Sequence, residues 1–230
     1  MKRLTFDQKN SSRLFSYFKS KGRVMKKRKG LFAVTLVMLF LSGMIARTTY
    51  IHASQPGRPA YTLSSQTTQY NSDGKVLPLF VETLYMSETG NWHSIQQYAR
   101  GKKVETFGVV GQGVFSKREG DEKVSFLSNL DSPLPILTAA GFQKSSDFLR
   151  TETVMGYPTF VSKAYNDPQT EFYCAPVIGG ANLKIVLKSE TSTVVTEPTS
   201  LVFGEPDSTL IKMPAGLPVS YDNFNKIHGQ

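Results

Sequence analysis

The chain has 230 residues and a formal net charge of +9, a value typical of nucleic-acid-binding proteins. The charge is unevenly distributed, because residues 1–30 carry eleven Lys and Arg against one Asp, whereas the residues after Ala46 carry sixteen against seventeen Asp and Glu. The larger part therefore has no basic surplus, which excludes the usual electrostatic footprint of a DNA- or RNA-binding domain. A single cysteine, Cys174, excludes an intrachain disulfide.

An apolar run, Leu31–Ala46, contains no charge and no proline and follows the four basic residues 26–29. Basic residues on one side of an apolar segment are typical of the cytoplasmic flank of an exported protein. As a helix the run spans roughly 24 Å, against about 30 Å for the hydrocarbon core of a bilayer. The sequence therefore predicts either a transmembrane anchor or the core of a cleaved signal peptide. Translation from Met25 favours the leader and translation from Met1 favours the anchor.

This run divides the chain into segments with different expected roles. We predict a basic cytoplasmic, leader or untranslated segment over residues 1–29 and the anchor or signal-peptide core over residues 30–46. A polar linker rich in Pro and Gly follows over residues 47–59. A β-rich extracytoplasmic domain then spans residues 60–223, and residues 224–230 form a tail. The expected location is the bacterial cell envelope, periplasmic and either anchored in the inner membrane or secreted.

The body of the chain has repeated segments rich in Val, Thr, Tyr and Phe, separated by Gly, Asp, Asn and Pro. Most connections have hairpin length, which favours antiparallel neighbours in chain order. Alternation is clear over Phe80–Tyr85, where Phe80, Glu82 and Leu84 share one phase. The predicted strands are Tyr61–Tyr70, Val76–Met86, Trp92–Ala99, Val104–Val110, Gly113–Lys117, Val124–Leu127, Phe148–Met155, Pro158–Tyr165, Thr170–Cys174, Leu183–Lys188 and Thr193–Phe203.

One segment between the sixth and seventh strands breaks this rhythm. Within Ser132–Gln143, the stretch Ile136–Ala140 is compatible with a helix, and Gly141 is expected to end it. We therefore predict a mainly β fold: a single curved antiparallel sheet or half-barrel of about eleven strands with one or two short helices. The first helix is expected to lie across the open face or the rim of the sheet. The N-terminal apolar export or anchor helix precedes this domain.

The sequence contains no motif that indicates catalysis or metal binding. His52, His93 and His228 lack metal-ligand spacing with a carboxylate. The glycines of Gly108–Gly113 superficially match a dinucleotide-binding fingerprint, but a strand-like segment follows them instead of a helix. We interpret them as a turn or bulge and expect a protein that is not an enzyme and that uses no cofactor or metal. Cys174 follows two aromatic residues in a strand and is expected to be a buried, inert thiol.

Aromatic side chains carry the remaining signal for a binding site. They are expected either to line a greasy lumen for acyl chains or another apolar ligand, or to form an ordinary core beneath the helix. The candidate ligand-binding residues on an apolar face are Phe80, Tyr85, Trp92, Tyr98, Phe107, Phe126, Phe160 and Phe172.

The C-terminal half carries a family resemblance, over residues 150–218. A "GY-x-T" turn begins at Gly156, an aromatic strand follows at Glu171–Pro176, and the chain closes on the "D-x-x-L-I-x-M-P-A-G" stretch Asp207–Gly216. This order resembles uncharacterised bacterial exported proteins and, more distantly, the outer-membrane lipoprotein-sorting carriers of the LolA/LolB and RseB-like superfamily. The resemblance implies an antiparallel half-barrel closed by helices, with an apolar cavity for lipid acyl chains. It also implies a terminal turn that places Leu210, Ile211 and Met213 in the core.

These observations predict a non-enzymatic exported β-domain that binds a lipophilic ligand, an acyl chain or a lipoprotein-like molecule, in a concave apolar face. The alternative is an envelope scaffold or sensor domain that binds a protein partner at a sheet edge. A third possibility is a hydrolase of unrecognised type. The expected partners are lipid or lipoprotein, and the membrane through residues 31–46 if the run is uncleaved; no nucleic acid is expected.

Overall fold

Twelve β-strands form one open, mixed sheet in the computed structural model, which describes residues 57–164 and 167–221. The order across the sheet is β12-β6-β5-β4-β3-β2-β1-β11-β10-β9-β8-β7, so that β1 lies near the centre. The strands are β1 Tyr61–Asn71, β2 Val76–Met86, β3 Trp92–Tyr98, β4 Lys103–Val109, β5 Gly113–Arg118, β6 Val124–Ser128, β7 Phe148–Val154, β8 Tyr157–Ala164, β9 Asp167–Ala175, β10 Ala181–Lys188, β11 Ser192–Phe203 and β12 Val219–Ser220.

The eleven predicted strands all form, which confirms the mainly β class, but the prediction of a purely antiparallel sheet is wrong at one edge. There β12 pairs in parallel with β6, through Val219 opposite Val124. Two residues are too few to show an alternating pattern, and the nearby prolines and glycine indicate a loop. The backbone N–H of Val124 also donates to the carbonyl of Pro218, at 3.0 Å, so the pairing begins just before the strand.

The predicted anchor or leader at Leu31–Ala46, the basic segment before it and the tail at 224–230 lie outside the described residues. The domain boundaries therefore stay predictions. Within the described part of the chain the two α-helices are α1 Ala139–Gln143 and α2 Ser208–Ile211, and a single 3-10 turn spans Pro176–Ile178. Neither α-helix is long and apolar enough to cross a bilayer.

Residues 129–147, which we call the strap, carry the chain from β6 near one edge of the sheet to β7 at the other. Leu130 accepts a hydrogen bond from Gly111 in the β4–β5 turn, at 2.7 Å. Further along, the carbonyl of Leu134 accepts a hydrogen bond from the Arg58 guanidinium, and Leu137 donates to Gly179 after β9, at 2.9 Å. These contacts place the part of the strap before the helix along the rim of the sheet.

The predicted helix of the strap exists, but its position differs by three residues. Helix α1 begins at Ala139, with Thr138 as its N-cap, and runs through Gly141, where the sequence predicted its end. Ile136 and Leu137 lie before the N-cap Thr138, whose Oγ1 accepts a hydrogen bond from the N–H of Gly141 at 3.3 Å. The backbone N–H of Leu137 donates to the carbonyl of Gly179.

Gly141 gives a testable consequence of this corrected position. We expect Gly141→Ala to stabilise the domain by about 0.4–1 kcal/mol, because alanine loses less conformational entropy than glycine in a helix. A β-carbon at Gly141 meets only Thr138 Oγ1, at an ordinary 3.5 Å. Urea denaturation measures the change. The control is Gly101→Ala, where a β-carbon has open space but the φ of +83° disfavours alanine, so this variant should be less stable than the wild type. A loss of stability in both variants would contradict the helical assignment of Gly141.

The C-terminal segment, residues 204–221, covers part of the other side of the sheet. Met213, Leu217 and Val219 pack against a buried cluster that includes Phe115 on β5 and Phe126 on β6. Of the three residues that the resemblance placed in the core, Ile211 is buried and Met213 joins this cluster, but Leu210 is 39% exposed. The expectation for Leu210 is therefore wrong, since its carbonyl rather than its side chain makes the contact, with His93.

Of the glycines in Gly108–Gly113, Gly111 lies in the tight turn between β4 and β5, Gly108 lies within β4 and Gly113 begins β5. The N–H of Gln112 donates to the carbonyl of Val109 at 3.0 Å, and Gly111 has a φ of +78°. The interpretation as a turn is confirmed.

Candidate functional site

The two faces of the central strands differ in burial. Side chains alternate along a strand, so residues that pair directly lie on the same face; Ser65 pairs with Glu82, and Glu82 pairs with Gln96. We call this side the inner face and the opposite side the outer face. The buried inner-face residues near Glu82 are Ser65, Thr67, Phe80, Ser94 and Gln96, whereas their outer-face neighbours Gln66, Val81 and Gln97 are exposed.

Glu82 lies at the centre of this inner-face group. Its Oε1 atom accepts hydrogen bonds from Ser94 Oγ at 2.5 Å and from Gln96 Nε2 at 3.2 Å. The side chain keeps some solvent contact but is surrounded at depth by protein atoms, and the loss of hydration raises the pKa of its carboxyl. The two hydrogen bonds act in the opposite direction and do not cancel this rise. Among the described residues, no hydrogen bond reaches Oε2, and that atom is not fully buried.

Aromatic and hydroxyl groups surround this carboxyl on the inner face. The rings of Phe80 and Tyr98 lie with their centroids 5.3 Å apart, and Tyr98 OH donates to Gln96 Oε1 at 3.2 Å. On the side of β11, the hydroxyls of Thr67 and Thr196 share a hydrogen bond of 2.8 Å. The centre of the inner face is therefore amphipathic, which differs from the purely apolar face that the sequence predicted.

Trp92 occupies the inner face toward the rim. Trp92 on β3 pairs with Gly108 on β4. Because Gly108 has no side chain, the indole has room there: a β-carbon at Gly108 would lie 2.0 Å from Trp92 Nε1. The same apolar cluster contains Tyr61, which is fully buried. Trp92 Nε1 and Tyr61 OH are both buried, and no hydrogen-bond partner meets either among the described residues, which leaves two unsatisfied donors at this rim.

Phe160 on β8 and Phe172 on β9 are also buried, but they lie away from the group around Glu82. Phe142 of helix α1 stacks on Phe160, with centroids 5.4 Å apart and planes 3° from parallel, and Phe172 belongs to the same cluster. Cys174 shares this cluster, donates from Sγ to Asn182 Oδ1 at 3.1 Å, and burial raises its pKa to about 12. A thiol with that pKa is an inert core group, as expected.

The remaining three candidate residues, Tyr85, Phe107 and Phe126, lie on the outer face. Phe107 stacks on His93, with centroids 4.1 Å apart. His93 Nδ1 lies 2.6 Å from the carbonyl of Leu210, and Phe126 packs under the C-terminal segment. Burial lowers the pKa of His93, which favours the neutral ring that holds this segment. The structure thus brings Phe80, Trp92 and Tyr98 onto the inner face with Glu82 but separates them from these three.

Sequence reasoning did not select Glu82, although the signal was present. Glu82 lies on the same face of its strand as the apolar Phe80 and Leu84. A carboxylate on such a face is buried with the apolar residues, and it then needs a hydrogen-bond partner or a function. Its partners Ser94 and Gln96 come from another strand, so only the folded pairing shows the group.

Glu82 gives a prediction for stability as a function of pH. Because its folded pKa lies above the ordinary 4.5, its stabilising contribution is complete below about pH 4.5 and is lost as the pH rises through the folded value. We expect Glu82→Gln, which keeps an acceptor for Ser94, to be more stable than the wild type at pH 8 and to lose that advantage near pH 4. Urea denaturation at both pH values measures this. A variant less stable than the wild type at pH 8 would contradict the buried, unpaired carboxylate.

Among residues 57–164 and 167–221, no group of three or more His, Cys, Asp or Glu is placed to hold a metal ion. His52 and His228 lie outside the described residues. The expectation of no metal and no cofactor stays a prediction.

Comparison with solved structures gives matches of probability 1.00 at low identity. A LolA superfamily protein from Nitrosomonas europaea matches with 7% identity and a TM-score of 0.35, covering 69% of this chain and 92% of that one. LprF from Mycobacterium bovis matches with 14% identity and a TM-score of 0.29, covering 68% and 90%. The MucA/MucB complex from Pseudomonas aeruginosa matches with 13% identity and a TM-score of 0.37, covering 69% of this chain and 57% of that one.

The solved structures that this chain is similar to include a member of the LolA superfamily, which the C-terminal half of the sequence resembles. No protein-family model matches the chain, and no curated protein matches it. With every one of these TM-scores below 0.5, the likeness supports no conclusion about ligand or binding residues, which rest on the contacts of this chain.

Proposed function

We propose that this chain is a non-enzymatic binding domain of the bacterial envelope that holds a lipophilic ligand against the inner face of β1–β3. The observation that carries the proposal is the group of half-buried inner-face side chains Leu84, Trp92 and Tyr98 beside the buried Phe80. Apolar and aromatic surface of this kind is the usual lining of a small-molecule site. The expected ligand has an acyl or comparable apolar chain.

The position of the strap supports this assignment. Its hydrogen bonds reach the β4–β5 turn, Arg58 and the turn after β9, and its Phe142 covers β8. The strap thus covers the rim of the sheet and part of β8. The inner-face surface around Leu84 and Tyr98 keeps partial solvent contact, which gives a ligand a place to bind.

Native mass spectrometry tests the proposal. The full chain, recovered from the cells that produce it, should carry a copurifying apolar molecule that an added fluorescent fatty acid displaces. Tyr98→Gln should reduce this occupancy several-fold, because it removes a ring from the inner face. Val81→Gln, on the outer face of the neighbouring strand, should leave occupancy unchanged. A chain that carries no displaceable molecule and takes up no fatty acid would overturn the proposal.

A second candidate function, binding of a protein partner at a sheet edge, has one observation in its favour. Strand β7 is the edge of the sheet, and its Leu149 is 40% exposed. An open edge strand is a template for an added strand. However, Arg150 forms ion pairs with Glu152 and Glu171 beside this edge, and charges of this kind are a common protection against strand addition.

Crosslinking in the envelope separates the two functions. A photoreactive residue at Leu149 should capture no protein reproducibly if the inner face is the functional site. A reproducible protein adduct from a chain without bound apolar ligand would favour the edge and count against the lipophilic site. The hydrolase alternative requires a nucleophile in contact with a base, and the chain's one histidine within the described residues, His93, instead uses Nδ1 on a backbone carbonyl.

A further inference from the structure

The inner face carries chemistry that an acyl chain alone does not need. A site for a plain hydrocarbon is stabilised by apolar side chains, and burying an ionisable group costs free energy unless it has a role or a partner. Glu82 sits in the middle of the proposed binding surface, in line with Phe80 and Leu84 on β2. Only its Oε1 atom is used, by Ser94 and Gln96. Among the described residues no donor reaches Oε2, which is thus left as a free acceptor.

We propose that Glu82 recognises the polar end of the ligand, and that this ligand is an amphiphile with a cationic amine head. The inference rests on the proposed function, since it assigns the head of the ligand held on the inner face. An ammonium group carries three donors and no acceptor. It therefore matches a free carboxylate oxygen, and it would repel neither Ser94 nor Gln96, whose donors already point at Oε1.

The neighbouring rings fit the same head group. Phe80 is two residues from Glu82 on the same strand face, and its ring lies beside that of Tyr98. Aromatic faces attract cations, with ammonium ligands as the best-known case. Where Glu82 is ionised, an anionic head such as a carboxylate or a phosphate would be repelled as a like charge. Toward the rim, the half-buried Leu84 and Trp92 provide apolar surface for the chain of the amphiphile.

Few other titratable groups act on Glu82. Strand β1 presents only the hydroxyl groups of Ser65 and Thr67 to it, and β3 presents Ser94, Gln96 and Tyr98. Tyr98 is the titratable neighbour: burial and the nearby Glu82 raise its pKa, while Arg118 of β5 acts in the opposite direction. Because burial also raises the pKa of Glu82, an ammonium that binds and ionises it should release a proton in the pH range where the carboxyl of the free chain is still protonated.

Titration calorimetry on the full chain tests this assignment, with dodecylamine, dodecanol and dodecanoate as probes below their critical micelle concentrations. We expect dodecylamine to bind at least about tenfold more tightly than dodecanoate, as a hydrogen bond to a charged group implies. Glu82→Gln should weaken dodecylamine about tenfold or more and change dodecanol less than threefold. Titration in two buffers of different ionisation enthalpy, repeated at descending pH, should show a proton release that grows in the wild type as the pH falls and that is absent from Glu82→Gln.

Glu197→Gln is the matched control, because Glu197 is a solvent-exposed carboxylate on β11 that pairs with Lys184 at 2.9 Å. It should leave all three affinities unchanged. If none of the three probes binds, the lipophilic site itself is refuted. If all three bind with similar affinity, or if Glu82→Gln leaves the preference for the amine intact, the ligand site stands and the assignment of Glu82 is wrong.

Discussion

Phe142→Ala should destabilise the domain by about 3–5 kcal/mol, the cost of truncating a phenylalanine in a packed core. Phe142 is 7% exposed and anchors helix α1 by stacking on Phe160. Its removal leaves a cavity above β8 that the short helix is poorly able to fill, since Thr138 and the rim contacts fix the strap on one side. Urea denaturation followed by circular dichroism measures the loss.

Phe203→Ala is the control for this substitution. Phe203 lies at the end of β11, is 44% exposed and contacts Tyr157 with ring centroids 6.0 Å apart. The same change in side chain should there cost less than about 1 kcal/mol, as exposed sites usually do. Equal losses for the two variants would mean that the strap does not depend on Phe142.

Gly108→Ala should destabilise the domain by about 1–3 kcal/mol, the usual cost of overpacking a core. The backbone of Gly108 has an ordinary φ, so the cost comes from space alone: an added β-carbon would lie 2.0 Å from Trp92 Nε1 and 2.2 Å from Cε2. The indole must move. Trp92 is the only tryptophan of the chain, so its emission should shift together with the loss in urea stability.

The control for overpacking is Gly141→Ala, the same chemical change where the new methyl group has room. It should leave the emission of Trp92 unchanged. A second check is the double variant Gly108→Ala/Trp92→Leu. Its loss of stability should be smaller than the sum of the losses of the two single variants, because the smaller leucine side chain relieves the clash. Additive losses, or an unchanged emission for Gly108→Ala, would show that Trp92 does not lie on Gly108.

Local sequence signals were sufficient for most of the fold. Strand β2 has the predicted bounds Val76–Met86 because a glycine turn precedes it and the sequence alternates clearly over Phe80–Tyr85. Helix α1 and β12 were misplaced or missed for a different reason. Helix α1 begins after its N-cap Thr138, whose Oγ1 accepts from the N–H of Gly141. Strand β12 depends on the pairing of Val219 with the distant Val124, which no local pattern indicates.

The candidate site was less predictable than the fold. Alternation shows which residues of one strand share a face, but not which face of the next strand lies on the same side. A bulge also displaces the phases of two paired strands, as where Thr67 pairs with Phe80 but the next residue, Thr68, pairs with Pro78. Phe107 and Phe126 were therefore grouped with Phe80, although they lie on opposite sides of the sheet.

Glu82 illustrates what composition alone misses. Its phase with Phe80 is visible in the sequence, but its partners Ser94 and Gln96 come from the next strand. The choice of aromatic residues favoured a purely apolar face, whereas the folded pairing places a carboxylate at its centre.

Quenching of Trp92 fluorescence tests most directly whether a lipophilic ligand occupies the inner face. A bromine atom quenches tryptophan only at short range, and Trp92 lies on the inner face near Leu84 and Met86. The outer face offers a competing groove at Tyr70, Val76 and Pro78, at the other end of β2. We expect dodecylamine with a brominated chain to quench Trp92 in a saturable manner, with an unbrominated chain as the control. Saturable binding without quenching would place the ligand elsewhere and contradict the inner-face site.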